Sequence, residues 1–400
     1  MPAAAATRPS RTSRGQRPAD AGVAPSIPFT AAAHEHTEPA FDVTVTPGAT
    51  VQNLGPFDVP AYGYARHLFL QCTASGGTLG AGVLSVDHPF DLFQSIQYTD
   101  VNGAPIFGPL SGYQTLWANI AGGYAFLSDP RLVQGFSNTI NGGFYLRVPL
   151  EISHHDGLGA LANQNSAAAY KIQFAINPTT ALYSTAPTTP AAWRIRGFLE
   201  AWTLPNEVDI AGRPQAQAPP ALGTAQFWSV RNVPVSIGNN TLLLTRVGNL
   251  IRNVVFIARN ATQVAGIGTR DNGCFPDPAQ IQWDARIILN DTQFYRNAVA
   301  AERLAPLFLT ASLNALDTGV FVYSFDHSID NKAGDDAPTL WLPTVQSTRL
   351  EVDGTATVAG TLDMITNDIA LGEVTPSERY VETSRTGFHP EIGASNPNAL

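Results

Sequence analysis

The stretch NGGFYLRVPLEISHHDG, residues 141–157, decides the fold class of this chain. Its first half places large apolar residues at every second position, at Phe144, Leu146 and Val148, and its second half is polar and contains histidine and glycine. Strict alternation is typical of a β-strand with one buried face, because successive side chains of a strand point to opposite sides. The stretch therefore predicts a strand that opens onto a polar loop.

The same alternating texture extends in both directions from this strand. Short apolar-polar stretches that end in Gly, Pro, Asn or Asp fill most of the chain, and the exceptions are polar or rich in Pro and Ala. These exceptions predict segment boundaries. We therefore expect a flexible N-terminal arm at 1–40, a first domain at 41–210, a linker at 211–222, a second domain at 223–372 and a C-terminal tail at 373–400.

The order of features repeats between the two domains. RHLFLQCTAS (66–75) corresponds to IRNVVFIARN (251–260), QSIQYTDVNGAPIF (94–107) to AQIQWDARIILNDTQFY (279–295), and NGGFYLRVPLEISHHDG to DTGVFVYSFDHSIDNKAG (317–334). A weakly helical segment follows the second pair in each copy, around 113–125 and 297–316. A repeat of this kind indicates two copies of one domain. We predict an all-β chain of two tandem eight-stranded antiparallel jelly rolls with short helices in their loops.

The composition is unusually poor in charge. Of 400 residues, 44% are hydrophobic and 14% charged, against a usual charged share of about 25%. A polar but uncharged surface costs less to desolvate and therefore suits burial against other subunits. The formal net charge of −9 argues against direct nucleic-acid binding.

Targeting signals and cysteine spacing narrow the class further. The first 20 residues hold no leucine-rich apolar stretch, and no apolar run reaches the roughly 20 residues that span a bilayer. We expect the chain to be made as a soluble protein in a bacterial host cytoplasm. Cys72 and Cys274 lie far apart, which predicts two buried thiols and neither a disulfide framework nor a zinc site.

Four stretches together resemble the major capsid proteins of tectiviruses and related double jelly-roll bacteriophages, which are tailless and contain a membrane. They are Ser95–Tyr113, Asn141–Ile152, Gln282–Tyr295 and Gly319–Ser328. The resemblance covers about residues 41–372, and an arginine-bearing arm and a free C-terminal tail also match. It implies a homotrimer whose six barrels form a pseudo-hexagonal capsomer of an icosahedral virion shell over an internal membrane. It also implies minor capsid, vertex or membrane proteins as partners, and no enzymatic activity or cofactor.

The N-terminal arm carries the one binding site that this resemblance suggests. Arginines recur there at positions Arg8, Arg11, Arg14 and Arg17. An arginine near an anionic membrane surface contributes about 1 kcal/mol to binding. We predict that these residues contact lipid headgroups on the inner face of the shell, where the membrane would separate them from the genome.

Other polar clusters give weaker signals for a site. They are His34-Glu35-His36, His154-His155-Asp156, and the acidic loop with Asp330, Asp335 and Asp336. Metal sites need three or four converging ligands, and the sequence shows no third ligand near either histidine cluster. We interpret these as surface histidines and the acidic loop as solvated, although a loosely bound calcium ion there stays open. No catalytic, cofactor or metal residues are predicted.

Two enzyme-like classes compete with a shell protein. A duplicated cupin would hold its metal with an H-x-H pair on a barrel strand, whereas the H-x-H pair here lies in the predicted arm. A secreted carbohydrate-binding or carbohydrate-active β-sandwich protein would carry a signal peptide and commonly an acidic pair or an exposed aromatic platform. The second class remains the alternative.

Overall fold

The computed structural model describes residues 27–125, 129, 132–136, 139–244, 249–264, 267–275, 277–283, 286–287, 318–324, 341–344 and 350–372. The main strands of the first half are β1 (Glu35–Val45), β2 (Gln52–Asp58), β3 (Tyr64–Ser75), β4 (Phe93–Thr99), β5 (Pro105–Leu110), β6 (Gly142–Pro149), β7 (Lys171–Ile176) and β8 (Ala192–Trp202). Those of the second half are β9 (Ala225–Val235), β10 (Gly238–Leu243), β11 (Leu250–Val264), β12 (Asp277–Trp283), β13 (Arg286–Ile287), β14 (Val320–Ser324), β15 (Leu350–Ala356) and β16 (Gly360–Ala370). The helices are α1 (Phe29–Ala32), α2 (Gly112–Ala121) and α3 (Thr179–Leu182). Shorter strands occupy Val83–Leu84, Val133–Gln134, Leu161–Ala162, Tyr183–Thr185, Ile267–Arg270 and Leu342–Pro343.

The two halves have the same strand order. In the first half the sheets run β1-β8-β3-β6 and β2-β7-β4-β5, and in the second half they run β9-β16-β11-β14 and β10-β15-β12-β13. Adding eight to each label of the first half therefore gives the order of the second. Within each half the pairs are antiparallel, as expected for two packed jelly-roll sheets. The predicted double jelly roll is confirmed.

The sequence correspondences fall on equivalent strands. RHLFLQCTAS lies in β3 and IRNVVFIARN in β11, which hold the same place in their sheets. The second pair of stretches begins in β4 and β12, and the third contributes β6 and β14. The helix predicted around 113–125 is α2, whereas the segment 297–316 lies outside the described residues.

One sheet continues from the first barrel into the second. Strands β5 and β9 pair in parallel at Phe107 and Trp228, so that β2-β7-β4-β5 is joined to β9-β16-β11-β14. Both side chains are fully buried. The largest apolar cluster contains most of the first barrel's core together with Trp228, Val255, Ile257 and Ile365 of the second. The barrels therefore share a core where they meet.

Local sequence explains where α2 begins. Ser111 caps the helix, because its Oγ accepts a hydrogen bond from the Gln114 backbone N at 3.2 Å and the Gln114 Oε1 accepts one from the Ser111 N at 2.8 Å. Gly108 lies just before, with a φ of 80° and so little space that a Cβ would stand 2.2 Å from the Ile96 carbonyl oxygen. The glycine-rich run 108–112 thus contains the end of β5, the capping serine and the first residue of α2.

The predicted boundary of the N-terminal arm at residue 40 is wrong, because ordered structure already begins before it. Helix α1 buries Phe29, and β1 pairs with β8 from Glu35 opposite Trp202 to Val45 opposite Trp193. As an edge strand, β1 has few buried side chains, and its first half, residues 35–40, lacks the apolar alternation that residues 41–45 show. His36 therefore lies on β1, whereas His34 precedes the strand, so the H-x-H pair as a whole is not carried on a barrel strand.

The connection between the barrels runs from residue 203 to residue 224 and contains the predicted linker 211–222. Isolated bridges join Ile27 to Gln215 and Val208 to Pro214 within this part of the structure. Among the described residues, no helix is long and apolar enough to cross a membrane.

Replacing Trp228 with alanine tests the shared core. Removing a fully buried aromatic side chain costs about 3–5 kcal/mol, so W228A should lower the free energy of unfolding by that amount in chemical denaturation. The matched control L243A removes an exposed side chain of β10 and should change it by less than about 0.5 kcal/mol. A similar small effect for both variants would contradict the shared core.

Candidate functional site

Several candidate residues of the sequence lie outside the described residues. These are Arg8, Arg11, Arg14 and Arg17 of the arm and Asp330, Asp335 and Asp336 of the acidic loop. The lipid contact of the arm therefore stays a prediction, and calcium binding by the acidic loop stays an open alternative. The remaining polar clusters can be placed.

The described residues concentrate buried polar groups at the seam, where residues 85–125 and 151 of the first half meet β9, β11 and β16. Tyr124, just after α2, donates from its hydroxyl to the Glu151 carbonyl oxygen at 2.7 Å. Arg252 on β11 donates to the Gly122 carbonyl oxygen at 3.1 Å, and Asn253 to that of Ala121 at 3.2 Å. Second-barrel side chains thus satisfy backbone carbonyls near the end of α2, which a helix leaves without partners.

Gln226 on β9 is the centre of this network. Its Nε2 donates to the Tyr124 hydroxyl at 2.8 Å and to the Glu151 carbonyl oxygen at 2.9 Å. Its Oε1 accepts from Trp228 Nε1 at 3.2 Å and from Asn367 Nδ2 at 3.1 Å. An amide side chain has two donors and two acceptor sites, and all four are used here.

Ionic contacts form a second part of the seam. Asp87 of the first half receives a hydrogen bond from Arg259 of β11 at 2.7 Å, and Arg270 lies 3.7 Å away. Both guanidinium groups lie over the ring of Tyr113, at 5.5 and 4.8 Å from its centroid. Burial raises the pKa of Tyr113 to about 12, so its hydroxyl stays protonated and neutral between the two arginines.

Asp363 on β16 links the same elements. Its carboxylate accepts from Gln114 of α2 at 3.0 Å and from Asn232 of β9 at 2.6 Å. The seam is therefore held by directional bonds to several strands as well as by apolar packing. Such a network fixes the relative orientation of two domains more narrowly than apolar contact does. Its evident role is structural.

A compact group of titratable side chains borders the seam. Glu151 is fully buried, and its Oε2 lies 2.7 Å from His154 Nδ1, 2.9 Å from Arg66 Nε and 3.8 Å from His67 Nε2. Trp202 Nε1 donates to the other carboxylate oxygen, Oε1. Arg66 also pairs with Glu35 at 2.7 Å. The side chains beside this group line a cavity of about 260 Å³.

The two neighbouring histidines His154 and His155 were both interpreted as surface residues, but the structure confirms this only for His155. His155 is exposed, but His154 contacts Glu151, and buried His67 lies close to both. Burial, followed by the nearby charges of His154 and Arg66, holds the pKa of His67 well below its ordinary value. The inference that His154 has no third ligand nearby is therefore wrong. His67 is on β3, and only the fold brings it to the loop after β6.

The remaining candidates have structural surroundings. His36 lies 3.0 Å from Glu38 and stacks on Tyr62, with ring centroids 4.2 Å apart. Cys72 and Cys274 are buried free thiols, as predicted. Among the described residues, only His67, Glu151 and His154 bring three potential metal-ligating atoms together.

The Asp87–Arg259 pair can be tested by a double substitution. R259M leaves a buried carboxylate without its closest partner and should cost about 3–5 kcal/mol of unfolding free energy, whereas D87L/R259M should recover most of it. The control R231M alters an exposed arginine of β9 and should cost less than about 0.5 kcal/mol. Equal losses for R259M and R231M in chemical denaturation would show that the pair does not hold the seam.

No protein-family model and no curated protein matches the chain. Solved structures do match. The PBCV-1 virus capsid has a TM-score of 0.52 at 11% identity, over 86% of this chain and 95% of that chain. Sulfolobus Turreted Icosahedral Virus gives 0.53 at 12% identity, over 90% and 94%. The major capsid protein of the same virus (STIV) gives 0.52 at 13%, over 88% and 99%.

At these identities the likeness is one of fold, and it extends over almost the full length of each compared chain. It agrees with the repeated strand order described above. The chain therefore has the double jelly-roll fold that these viral capsid proteins share.

Proposed function

We propose that this chain is the major capsid protein of a tailless, membrane-containing bacteriophage of the tectivirus type. It forms homotrimeric capsomers that assemble into an icosahedral shell, and it has no catalytic role. The observation that carries the proposal is the two equivalent barrels joined at a polar seam, in a fold shared with viral capsid proteins over nearly their whole length. Its location is the virion, after synthesis as a soluble protein in the host cytoplasm.

The repeated strand order gives a geometric reason for a trimer. Three copies of a chain with two similar barrels present six similar units around a three-fold axis. A near-hexagonal outline tiles a shell efficiently, so the duplication provides six-fold packing from three subunits. The firm attachment of the two barrels favours such a trimer, because each subunit then contributes two of the six units of the hexagonal outline at a fixed distance and angle.

The surface of the isolated chain supports self-association. Val208 and Ile210 are exposed, and Ile210 has a relative accessibility of 109%. They flank Asp209, whose Oδ1 accepts from the backbone N of Ala211 at 2.9 Å and of Arg213 at 2.7 Å. These bonds, and the Arg213 side chain, lower the pKa of Asp209. A hydrogen-bonded turn thus presents two apolar side chains to solvent, and this turn is the contact with another subunit that the proposal tests.

Light scattering coupled to size-exclusion chromatography tests the trimer. Three copies of the 42.6 kDa chain correspond to about 128 kDa, and negative-stain images should show a hexagonal outline. V208D/I210D should weaken association at least tenfold without lowering the melting temperature, because an unpaired charge in an interface must be desolvated. N102D adds one charge at an exposed turn and is the control. A wild-type monomer would instead favour the secreted carbohydrate-binding class.

The proposed lipid contact of the arm has its own test. R8Q/R11Q and R194Q/R231Q remove equal charge, the first from the arm and the second from exposed positions on barrel strands β8 and β9. With each arm arginine contributing about 1 kcal/mol, only R8Q/R11Q should reduce co-sedimentation with phosphatidylglycerol vesicles, by at least tenfold at low salt. Phosphatidylcholine vesicles should bind neither variant. Equal reduction by the two variants would mean that net charge, and not the arm, governs binding.

A further inference from the structure

The cluster His67–Glu151–His154 has the arrangement of a metal site. One potential ligand atom from each residue lies within 4.8 Å of the others. His67 belongs to β3, whereas Glu151 and His154 follow β6, so two neighbouring strands of one sheet position the set. Glu151 and His67 are buried, and the His154 side chain is 38% exposed. The cluster is therefore open on one side, towards the cavity that His67 and His154 line.

His67 has an unsatisfied polar side chain. It is 2% exposed, and its Nδ1 forms no hydrogen bond of ordinary geometry in the described part of the chain, although the Arg66 backbone lies near the ring. Its Nε2 is 3.8 Å from Glu151 Oε2. Buried polar groups are almost always paired, so each exception needs an explanation. A buried neutral imidazole beside a carboxylate and a second imidazole is a ready metal ligand.

The contacts of His154 Nδ1 point the same way. This nitrogen lies 2.7 Å from Glu151 Oε2 and 3.2 Å from Arg66 Nη2. An imidazole nitrogen carries either a proton or a lone pair, so it cannot donate to the carboxylate and accept from the guanidinium together. A cation bound by both the Nδ1 lone pair of His154 and the Glu151 carboxylate oxygen would also hold these two atoms close together, without a proton between them.

The surroundings of Glu151 resemble the outer shell of a metal site. Trp202 Nε1 donates to Oε1 and Arg66 Nε to Oε2, which fixes the plane of the carboxylate. Arg66 is itself held by stacking on Trp202, at 4.1 Å, and by Glu35. Its positive charge opposes a cation. The site holds two guanidinium groups, Arg66 and Arg147, and three carboxylates. These are Glu35, Glu151 and Glu200, so the formal net charge of the site is negative.

We propose that His67, Glu151 and His154 bind one divalent transition-metal ion, with zinc as the preferred ion. Two imidazoles and one carboxylate are a common zinc ligand set, with a water molecule in the fourth position. The ion would join β3 to the loop after β6, whose Glu151 carbonyl oxygen contacts Tyr124 and Gln226 at the seam. Its role is to stabilise the junction of the barrels, and the inference is independent of the proposed capsid function.

Metal analysis of the full chain tests this proposal. Protein produced without a polyhistidine tag and stripped with EDTA is titrated with zinc chloride in a calorimeter, and metal content is measured by mass spectrometry. We expect one zinc per chain, a melting temperature that rises with zinc, and the visible absorption of tetrahedral cobalt when cobalt is added instead. H154A should weaken zinc binding by about a hundredfold, because it removes one of three protein ligands.

Two controls separate the site from other histidines. H155A removes the exposed neighbouring imidazole, and H36A removes one that also lines the cavity but pairs with Glu38. Both should keep the wild-type stoichiometry and affinity. H154A in EDTA should still unfold in one cooperative transition, at a melting temperature lowered by the loss of the Glu151 contact, which shows that it folds. Absence of zinc binding, or equal binding by H154A and wild type, would identify the cluster as an ion-pair network and overturn the proposal.

Discussion

The arrangement of the two barrels depends on a buried amide that has every one of its hydrogen bonds. Gln226 joins the first half through Tyr124 and Glu151 and its own half through Trp228 and Asn367. Apolar burial is non-directional and tolerates small rotations between domains. A buried polar group that loses its partner costs about 1–3 kcal/mol. If the second barrel rotated or shifted, several buried polar groups of the seam would lose their partners at the same time. The hydrogen bonds therefore select one orientation of the second barrel relative to the first.

The chain places several of its few ionic side chains at this interface between barrels. Asp87, Arg252 and Arg259 are all buried there, although charged residues make up only 14% of the sequence. The outer surface is correspondingly left with still fewer charges. Charge thus fixes the orientation of the barrels inside the chain, while a polar and apolar exterior would keep the desolvation cost of the proposed contacts with other subunits low.

The alternating strands made the fold predictable from sequence. The correspondence of 66–75 with 251–260 identified β3 and β11 because both are central strands rich in buried apolar residues. The first half of edge strand β1, residues 35–40, was missed, since backbone pairing with β8 holds it and its side chains carry little pattern. The groups around Glu151 could not be predicted, because a strand and a distant loop meet there only after folding. Likewise, Gln226 is one amide among many until its burial is known.

The continuous sheet through Phe107 and Trp228 also determines where the molecule can deform. The barrels are joined there by one paired position and by the buried core around it, so the two barrels should move together. In a shell of the kind proposed above, curvature would then arise at the edges between neighbouring subunits and not inside each one, so flat facets and sharp vertices would differ in the angles at which whole subunits meet.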